Sequence, residues 1–432
     1  MAQRVIYHSQ QPGIEPGDTD RQKWEKINAM FAEIYGGGAG GGGQGSEYES
    51  YITNGQYNFN DQIVGAATQI SCDNYHYVRD DVNGTIRIGI TNSFLSPTAL
   101  IEVNGGSNLT ASFSIINSNN TLQRFLFSGN TQVVIASGAT VYSDPLTVQL
   151  KKNERIRFRS YGACPNGVVF GSRSGNSPQC FSRYGTSGVV DSTDNTTAIP
   201  SGSYGGVYFG PNVILGTTRK PTFGVIGDSR AAETYVGTSG ADITYDAGYA
   251  GRGLGPKYGV FTYATPSWRT DASDASRVKG IAFLAFASHV LIQLGYNDLL
   301  TDGSTAALVT AYTRLIAQIR AVNPTCKIYI MTIAPGSSGD FTSVAGQTTN
   351  AINASRVAIN TLIRLGLRVA NVPTIDGYIE IADHCETARG SGIWHPNMAV
   401  DGIHENGYGL KHIVARANLT DYPWDRPAQL AA

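Results

Sequence analysis

Three short motifs in the C-terminal half of the chain carry groups that together could transfer an acyl group. Gly227-Asp228-Ser229 follows the apolar run FGVIG at 223–227 directly, so a hydroxyl stands where a chain leaving a buried strand must turn sharply. That is a nucleophile's position, although a plain turn or a helix N-cap would use the same residue types. Gly295-Tyr296-Asn297-Asp298 closes the run HVLIQLG at 289–295 and puts a side-chain amide where its N–H can meet a developing oxyanion. Asparagine after a strand is also an ordinary turn residue. Asp401-Gly402-Ile403-His404 has the i, i+3 spacing at which a carboxylate accepts from imidazole Nδ1–H, leaving Nε2 free to take a proton from serine. The chain has no other Gly-Asp-Ser and no Gly-x-Ser-x-Gly elbow, which sets aside the usual α/β-hydrolase arrangement.

The other histidines are weaker bases. Asp73-Asn74-Tyr75-His76 repeats the Asp-x-x-His spacing but lies far from any strand-top serine and reads as a surface turn. His289 opens a strand and reads as a core or rim residue. His384, His395 and His412 lack an acid three residues earlier, and His395, beside Trp394, is the understudy for His404.

The elements that must position these groups begin after Lys220. Buried-looking strands at 223–227, 258–264, 289–295, 327–333 and 367–372 alternate with helical segments. The clearest helix runs from Ser304 to Val322 with Leu308, Tyr312, Leu315, Ile316 and Ile319 on one face, and a last one spans about 407–418. Five strands separated by helices predict a parallel α/β sheet, which binds ligands at the carboxyl ends of its strands. All three motifs fall at or just beyond such ends, in the order serine, asparagine, aspartate-histidine.

With GDS at 227–229, GYND at 295–298 and DGIHENGYG at 401–409, the region from about 220 to 420 resembles the SGNH (GDSL-like) hydrolase family. The resemblance implies a three-layer, flavodoxin-like α/β domain with a five-stranded parallel sheet over 218–432. It implies Ser229, His404 and Asp401 as a catalytic triad, an oxyanion hole including the Ser229 N–H and Asn297, and no cofactor. The family's second block supplies a glycine N–H after the second strand, whereas this chain has Ala264-Thr265-Pro266-Ser267-Trp268-Arg269 there. Ser267 is the substitute, provided that its backbone takes the angles a glycine would. Arg230, Arg269, Tyr296, Trp394 and Tyr408 flank the motifs and either grip a sugar and its acid group or merely pack.

Residues 47–217 read as an all-β sandwich, with runs such as TIRIGI, SFSII, LTVQL and RIRFRS between Asn/Gly/Ser clusters. Its loops suit sugar binding and a structural role equally. Tyr142–Tyr161 resembles the strand pair that precedes the catalytic domain in many bacterial SGNH-type esterases. Further upstream, Asp18, Thr19 and Asp20 cap a helix whose Trp24, Ile27, Phe31 and Ile34 form one stripe, and Gly36–Gly45 reads as a flexible tether. The expected organisation is therefore a docking helix over 1–36 and a linker over 37–46. The segment PGDTDRQKWEKINAMFAEIY resembles the N-terminal anchor of many bacteriophage virion proteins, which implies attachment to other virion proteins, and the stripe allows a homo-trimer.

Composition narrows the rest. The chain has 432 residues, 51 of them glycine, 41% hydrophobic content and a net charge of −1, which excludes wholesale disorder and a field able to hold nucleic acid. Ile281–Leu294 is too short and too interrupted to span a membrane, and the first residues do not read as a signal peptide. Five cysteines without Cys-x-x-Cys spacing make no metal site, though Cys164 and Cys180 could bridge a loop in an oxidised particle. The expectation is a serine esterase on a phage particle that removes O-acetyl or similar groups from a bacterial surface polysaccharide. A virion protein that binds glycan or builds the particle without hydrolysis is the alternative, and a cellular carbohydrate esterase a third.

Overall fold

The computed structural model describes residues 47–57, 67–169, 171–172, 180–199, 207–232, 248–272, 274–368, 374–422 and 424. The expected docking helix and glycine linker lie outside the described residues.

Six parallel strands form the sheet that carries the motifs, in the order Asn54–Gln56, Val260–Ala264, Phe223–Gly227, His289–Gln293, Lys327–Met331, Gly377–Ile379. The three strands from Phe223 to Gln293 are buried at every residue, which is why they read as unbroken apolar runs. From Phe223–Gly227 the chain crosses to one side, to Val260–Ala264, and then back past it to the other three. Because such crossovers are right-handed, the connecting helices fall on opposite faces. Accordingly Gly248–Leu254 packs on the last helix, Gly407–Ala417, while Val278–Phe283, Thr305–Val322 and Asn353–Arg364 form a second group. The central strand is thus the topological switch point, and Ser229 follows it.

Two expectations are corrected. The sheet has six strands rather than five, because the polar triplet Asn54-Gly55-Gln56, which shows no periodicity, pairs in parallel with Val260–Thr262 across two hundred residues. The outer strand of the described residues is Gly377–Ile379; at the start of the strand expected over 367–372, Gly366 and Leu367 turn left-handed at φ 85° and 47°, ending the preceding helix, and 369–372 lie outside the described residues. The helix expected from Ser304 spans Thr305–Val322, with the Ser304 hydroxyl accepting from the Ala307 N–H and all five residues of the expected face buried.

Upstream, two antiparallel sheets share a core. One is built on Val82–Thr91 and turns Ile86, Ile88 and Ile90 inward; the other, built on Gln69–Tyr77, Leu109–Ile116 and Arg155–Ala163, contributes Ile70, Phe113, Ile115, Ile156 and Phe158. Leu146–Leu150 and Arg155–Ala163, expected as a pair, belong to different sheets, because Lys151–Glu154 turns the corner of the sandwich with Asn153 at φ 66°. Asp73 and His76 do not sit in a surface turn. They lie within the strand Gln69–Tyr77, where Asp73 accepts two 2.7 Å bonds from the buried Arg159 and burial pushes the His76 imidazole down to about 4. Cys164, Cys326 and Cys385 are free buried thiols, so Cys164 makes no bridge; the Cys180 side chain lies outside the described ones.

Glu102 joins the sandwich to the parallel sheet. From the hairpin strand Glu102–Asn104 its carboxylate accepts from the N–H groups of Lys279 and Gly280, at 2.9 and 2.6 Å, and from Tyr263 Oη–H at 2.9 Å. The first two are orphan donors of the helix Val278–Phe283, so an acid of one part caps a helix of the other. Burial raises its carboxyl above the usual value, against the lowering effect of these donors. Glu102→Ala should strand all three donors, at roughly 1–3 kcal/mol for each left buried. Thermal unfolding should show a Tm lower by several degrees; an unchanged Tm would contradict the assignment.

Candidate active site

Each motif is placed by a local constraint. Gly227 closes the central strand, and a Cβ there would lie 2.2 Å from that of Ala231, so only glycine lets the helix Ser229–Ala232 start so close. Gly295 has φ 113° and a Cβ on it would meet Tyr312 Oη at 2.5 Å; the helix Tyr296–Asp302 begins after it and delivers Asn297. Gly402 has φ 81°, with Ser337 O 1.9 Å from where a Cβ would be, and this tight turn folds Asp401 back toward His404.

The three segments meet. Ser229 Oγ lies 2.8 Å from His404 Nε2, and His404 Nδ1 lies 2.8 Å from Asp401 Oδ2. The other oxygen, Asp401 Oδ1, accepts from the Ile403 and His404 N–H groups at 2.9 and 2.7 Å. Burial works against the Asp401 charge, but the His404 N–H, the His404 ring and the Ile403 N–H outweigh it and hold the carboxyl below the usual range. A hydroxyl aligned on an imidazole whose far nitrogen faces a carboxylate is a proton relay poised for nucleophilic attack.

Around it opens a cleft of ≈ 500 Å³ lined by Asp228, Ser229, Arg230, Pro266, Ser267, Tyr296, Asn297, Ile403 and His404. Ser267 holds φ 63°, the left-handed angle that a glycine would take. Among the described residues the N–H groups of Ser229 and Ser267 have no acceptor, and both belong to residues on the cleft wall. Asn297 Nδ2 donates to Trp268 O at 3.1 Å and lies 3.5 Å from Asp228 Oδ2. Asp298 fixes the neighbouring loop: its carboxylate accepts from the Thr270 and Asp271 N–H groups at 2.9 and 3.1 Å.

The flanking residues separate. Arg230 and Tyr296 border the cleft but are buried, with the guanidinium 4.8 Å over the Tyr296 ring. Arg269 pairs with Asp271 at 2.9 Å, Trp394 is fully buried with its indole N–H donating to Gly402 O, and the exposed Tyr408 lies by His412; none of these three lines the cleft. Trp394 instead supports the turn at Gly402, itself held by Gln347, which donates to Trp394 O and accepts from its N–H. The His395 ring lies 6.2 Å from that of His412, tilted by 58°, and His395 does not line the cleft. Among the described residues no group of three or more His, Cys, Asp or Glu side chains could hold a metal, and no helix is long and apolar enough to cross a membrane.

Sequence reasoning missed the buried acids beside the motifs: Asp228, Asp298, and Glu405, which accepts from Tyr249 Oη–H at 2.7 Å. The available signal was position, since each sits next to a residue already singled out.

Residues 225–411 match the GDSL-like Lipase/Acylhydrolase family. No curated protein matches the chain. Similar solved structures include a family two carbohydrate esterase from Cellvibrio japonicus, at 10% identity and TM-score 0.32, covering 88% of this chain and 99% of that one. A peptidoglycan O-acetylesterase aligns at 11% identity and TM-score 0.36 over 85% and 80%. A putative platelet activating factor from Streptococcus pneumonia aligns at 15% identity and TM-score 0.34 over 47% and 84%.

Asp228 gives a pH test. Burial raises its carboxyl to about 6, against the lowering influence of the Arg230 charge and N–H. The folded chain therefore binds this proton more tightly than the unfolded chain. The stability it brings is complete below the unfolded value near 4 and is lost as pH rises through about 6. Asp228→Asn, which mimics the protonated form, should match wild-type Tm near pH 4 and exceed it at pH 8. Equal Tm values at pH 8 would refute this.

Proposed function

We propose, from the match of residues 225–411 to the GDSL-like Lipase/Acylhydrolase family, that the chain is a serine ester hydrolase that removes O-acetyl or similar short acyl groups from a bacterial surface polysaccharide. The observation that carries this reading is the unbroken relay from Ser229 Oγ through His404 to Asp401. In the proposed mechanism Ser229 attacks the ester carbonyl while His404 Nε2 takes its proton. The tetrahedral oxyanion accepts from the N–H groups of Ser229 and Ser267 and from Asn297 Nδ2, whose long contact to Asp228 yields to it. Such donors are worth roughly 2.7–4 kcal/mol each. His404 then protonates the leaving alcohol, and water, activated by the same imidazole, releases the acid.

The substrate proposal draws on the cleft itself, which is open, polar and small, with no long apolar channel among its lining residues to take a fatty chain. The setting on a phage virion draws on the resemblance of residues 16–35 to virion anchors and on the glycine tether behind them. With it go attachment to other virion proteins, trimer formation through the helical stripe, and action outside the cell.

Wild type and Ser229→Ala incubated with purified, acetylated bacterial polysaccharide should differ in the acetate released, followed by NMR, by a factor of at least a thousand. Equal release would refute the mechanism, and glycan binding with no acetate from either protein would favour a non-catalytic receptor-binding role. At the second-block position, Ser267→Gly should keep activity within a few-fold because only the N–H is used. Ser267→Pro, which lacks that N–H and cannot take a positive φ, should lower kcat about a hundredfold or more. Equal kcat for the two variants would remove Ser267 from the oxyanion hole.

A further inference from the structure

We propose that Arg230 is a positioning residue, one guanidinium that keeps the serine, asparagine and histidine segments in register. The inference rests on the esterase reading above. Arg230 immediately follows Ser229, and its side chain reaches the neighbours of the other groups. Nη2 donates to Ile403 O, Nε lies 3.9 Å from Glu405 Oε2, and the guanidinium carbon stands 4.8 Å over the ring of Tyr296. Ile403 and Glu405 bracket His404, and Tyr296 precedes Asn297, so one side chain touches both flanks of the base and the residue before the oxyanion amide.

The contacts are built rather than incidental. The Arg230 and Glu405 side chains are only 6% and 2% exposed. Glu405 is further held by Tyr249 Oη, which arrives because Gly248, at φ 64°, lets its helix pass so close that a Cβ there would lie 2.0 Å from Arg230 O. A planar guanidinium that stacks over the Tyr296 ring while it donates to Ile403 O and keeps its charge beside Glu405 suits the positioning task, and an ammonium does not. A displacement of about 1 Å between nucleophile and base is enough to cost about a hundredfold in rate.

The test compares wild type, Arg230→Met, Arg230→Lys and Glu405→Gln in steady-state hydrolysis of p-nitrophenyl acetate, together with the 15N shifts of the His404 ring. Arg230→Met and Arg230→Lys should lower kcat at least tenfold with KM within about twofold of wild type, and should move the His404 Nε2 resonance. Glu405→Gln, which leaves the Ile403 contact and a partner for Tyr249, should lower kcat less. Wild-type kcat in Arg230→Met, or a loss confined to KM as a substrate contact would give, overturns the proposal while leaving the esterase reading intact. Should Arg230→Met fail to fold, the double variant Arg230→Met/Glu405→Gln, which removes both buried charges, carries the same measurements. Should wild type hydrolyse no ester, the esterase reading fails separately. The ring shifts then decide, and identical His404 resonances in wild type and Arg230→Met overturn the positioning role.

Discussion

The 2.8 Å bond between Ser229 Oγ and His404 Nε2 joins residues 175 positions apart, and the rest of the architecture serves to make that distance possible. A hydroxyl and an imidazole on separate loops would wander by more than the bond's tolerance. Here Ser229 is fixed by the end of a fully buried strand, and His404 by a turn braced from two sides, at Ser337 N–H and at the Trp394 indole, both of which donate to Gly402 O. Neither brace touches the reacting atoms. They convert the stiffness of the sheet and of a buried tryptophan into a fixed distance above it.

Legibility in the sequence followed the range of the interaction. The meeting of Ser229, His404 and Asp401 could be read because each motif is local: Asp401 and His404 bond within one turn, and Gly227 must be glycine because of a residue four positions on. The helix Thr305–Val322 was equally readable, since its cap and stripe lie within its own length. What could not be read is non-local. The edge strand Asn54–Gln56 has no pattern of its own and exists only through its parallel partner, and Asp73 and His76 looked like a turn because their burial is decided by Arg159 and by the facing sheet. Trp394 and Arg230 show the same limit. Beside catalytic motifs, aromatic and cationic side chains look like sugar contacts until their buried partners are visible.

The site concentrates buried charge. Asp228, Arg230, Asp298 and Glu405 are all nearly excluded from solvent, and isolated charges there would cost far more than they return. Each is answered: Asp298 by two loop N–H groups, Glu405 by Tyr249 and Arg230, Arg230 by Ile403 O and the Tyr296 face. Burial displaces the carboxyls of Asp228 and Asp298 upward, whereas at the more exposed Asp401 the N–H groups of His404 and Ile403 and the His404 ring outweigh burial and displace it downward. Environment thus assigns Asp401 and Asp228 different work. Asp401 is held ionised against the His404 ring, and Asp228 holds Arg230 N–H and borders the amide of Asn297.

The same reasoning gives the upstream sandwich a mechanical part in the site. The chain leaves the sandwich strand Tyr48–Tyr51 and at Asn54–Gln56 joins the parallel sheet beside Val260–Ala264, where Tyr57 N–H continues the ladder to Thr262 O at 2.9 Å. That strand leads straight into Thr265–Trp268, the turn whose left-handed Ser267 faces the cleft and whose Trp268 carbonyl holds Asn297. Without the added edge strand, Val260–Ala264 would itself be the sheet's edge, with its outward backbone groups unpaired and its far end freer to shift. Pairing it on both sides stiffens the support of Ser267 and Asn297. The sandwich and the parallel sheet are therefore coupled through the backbone at the element that the site can least allow to move.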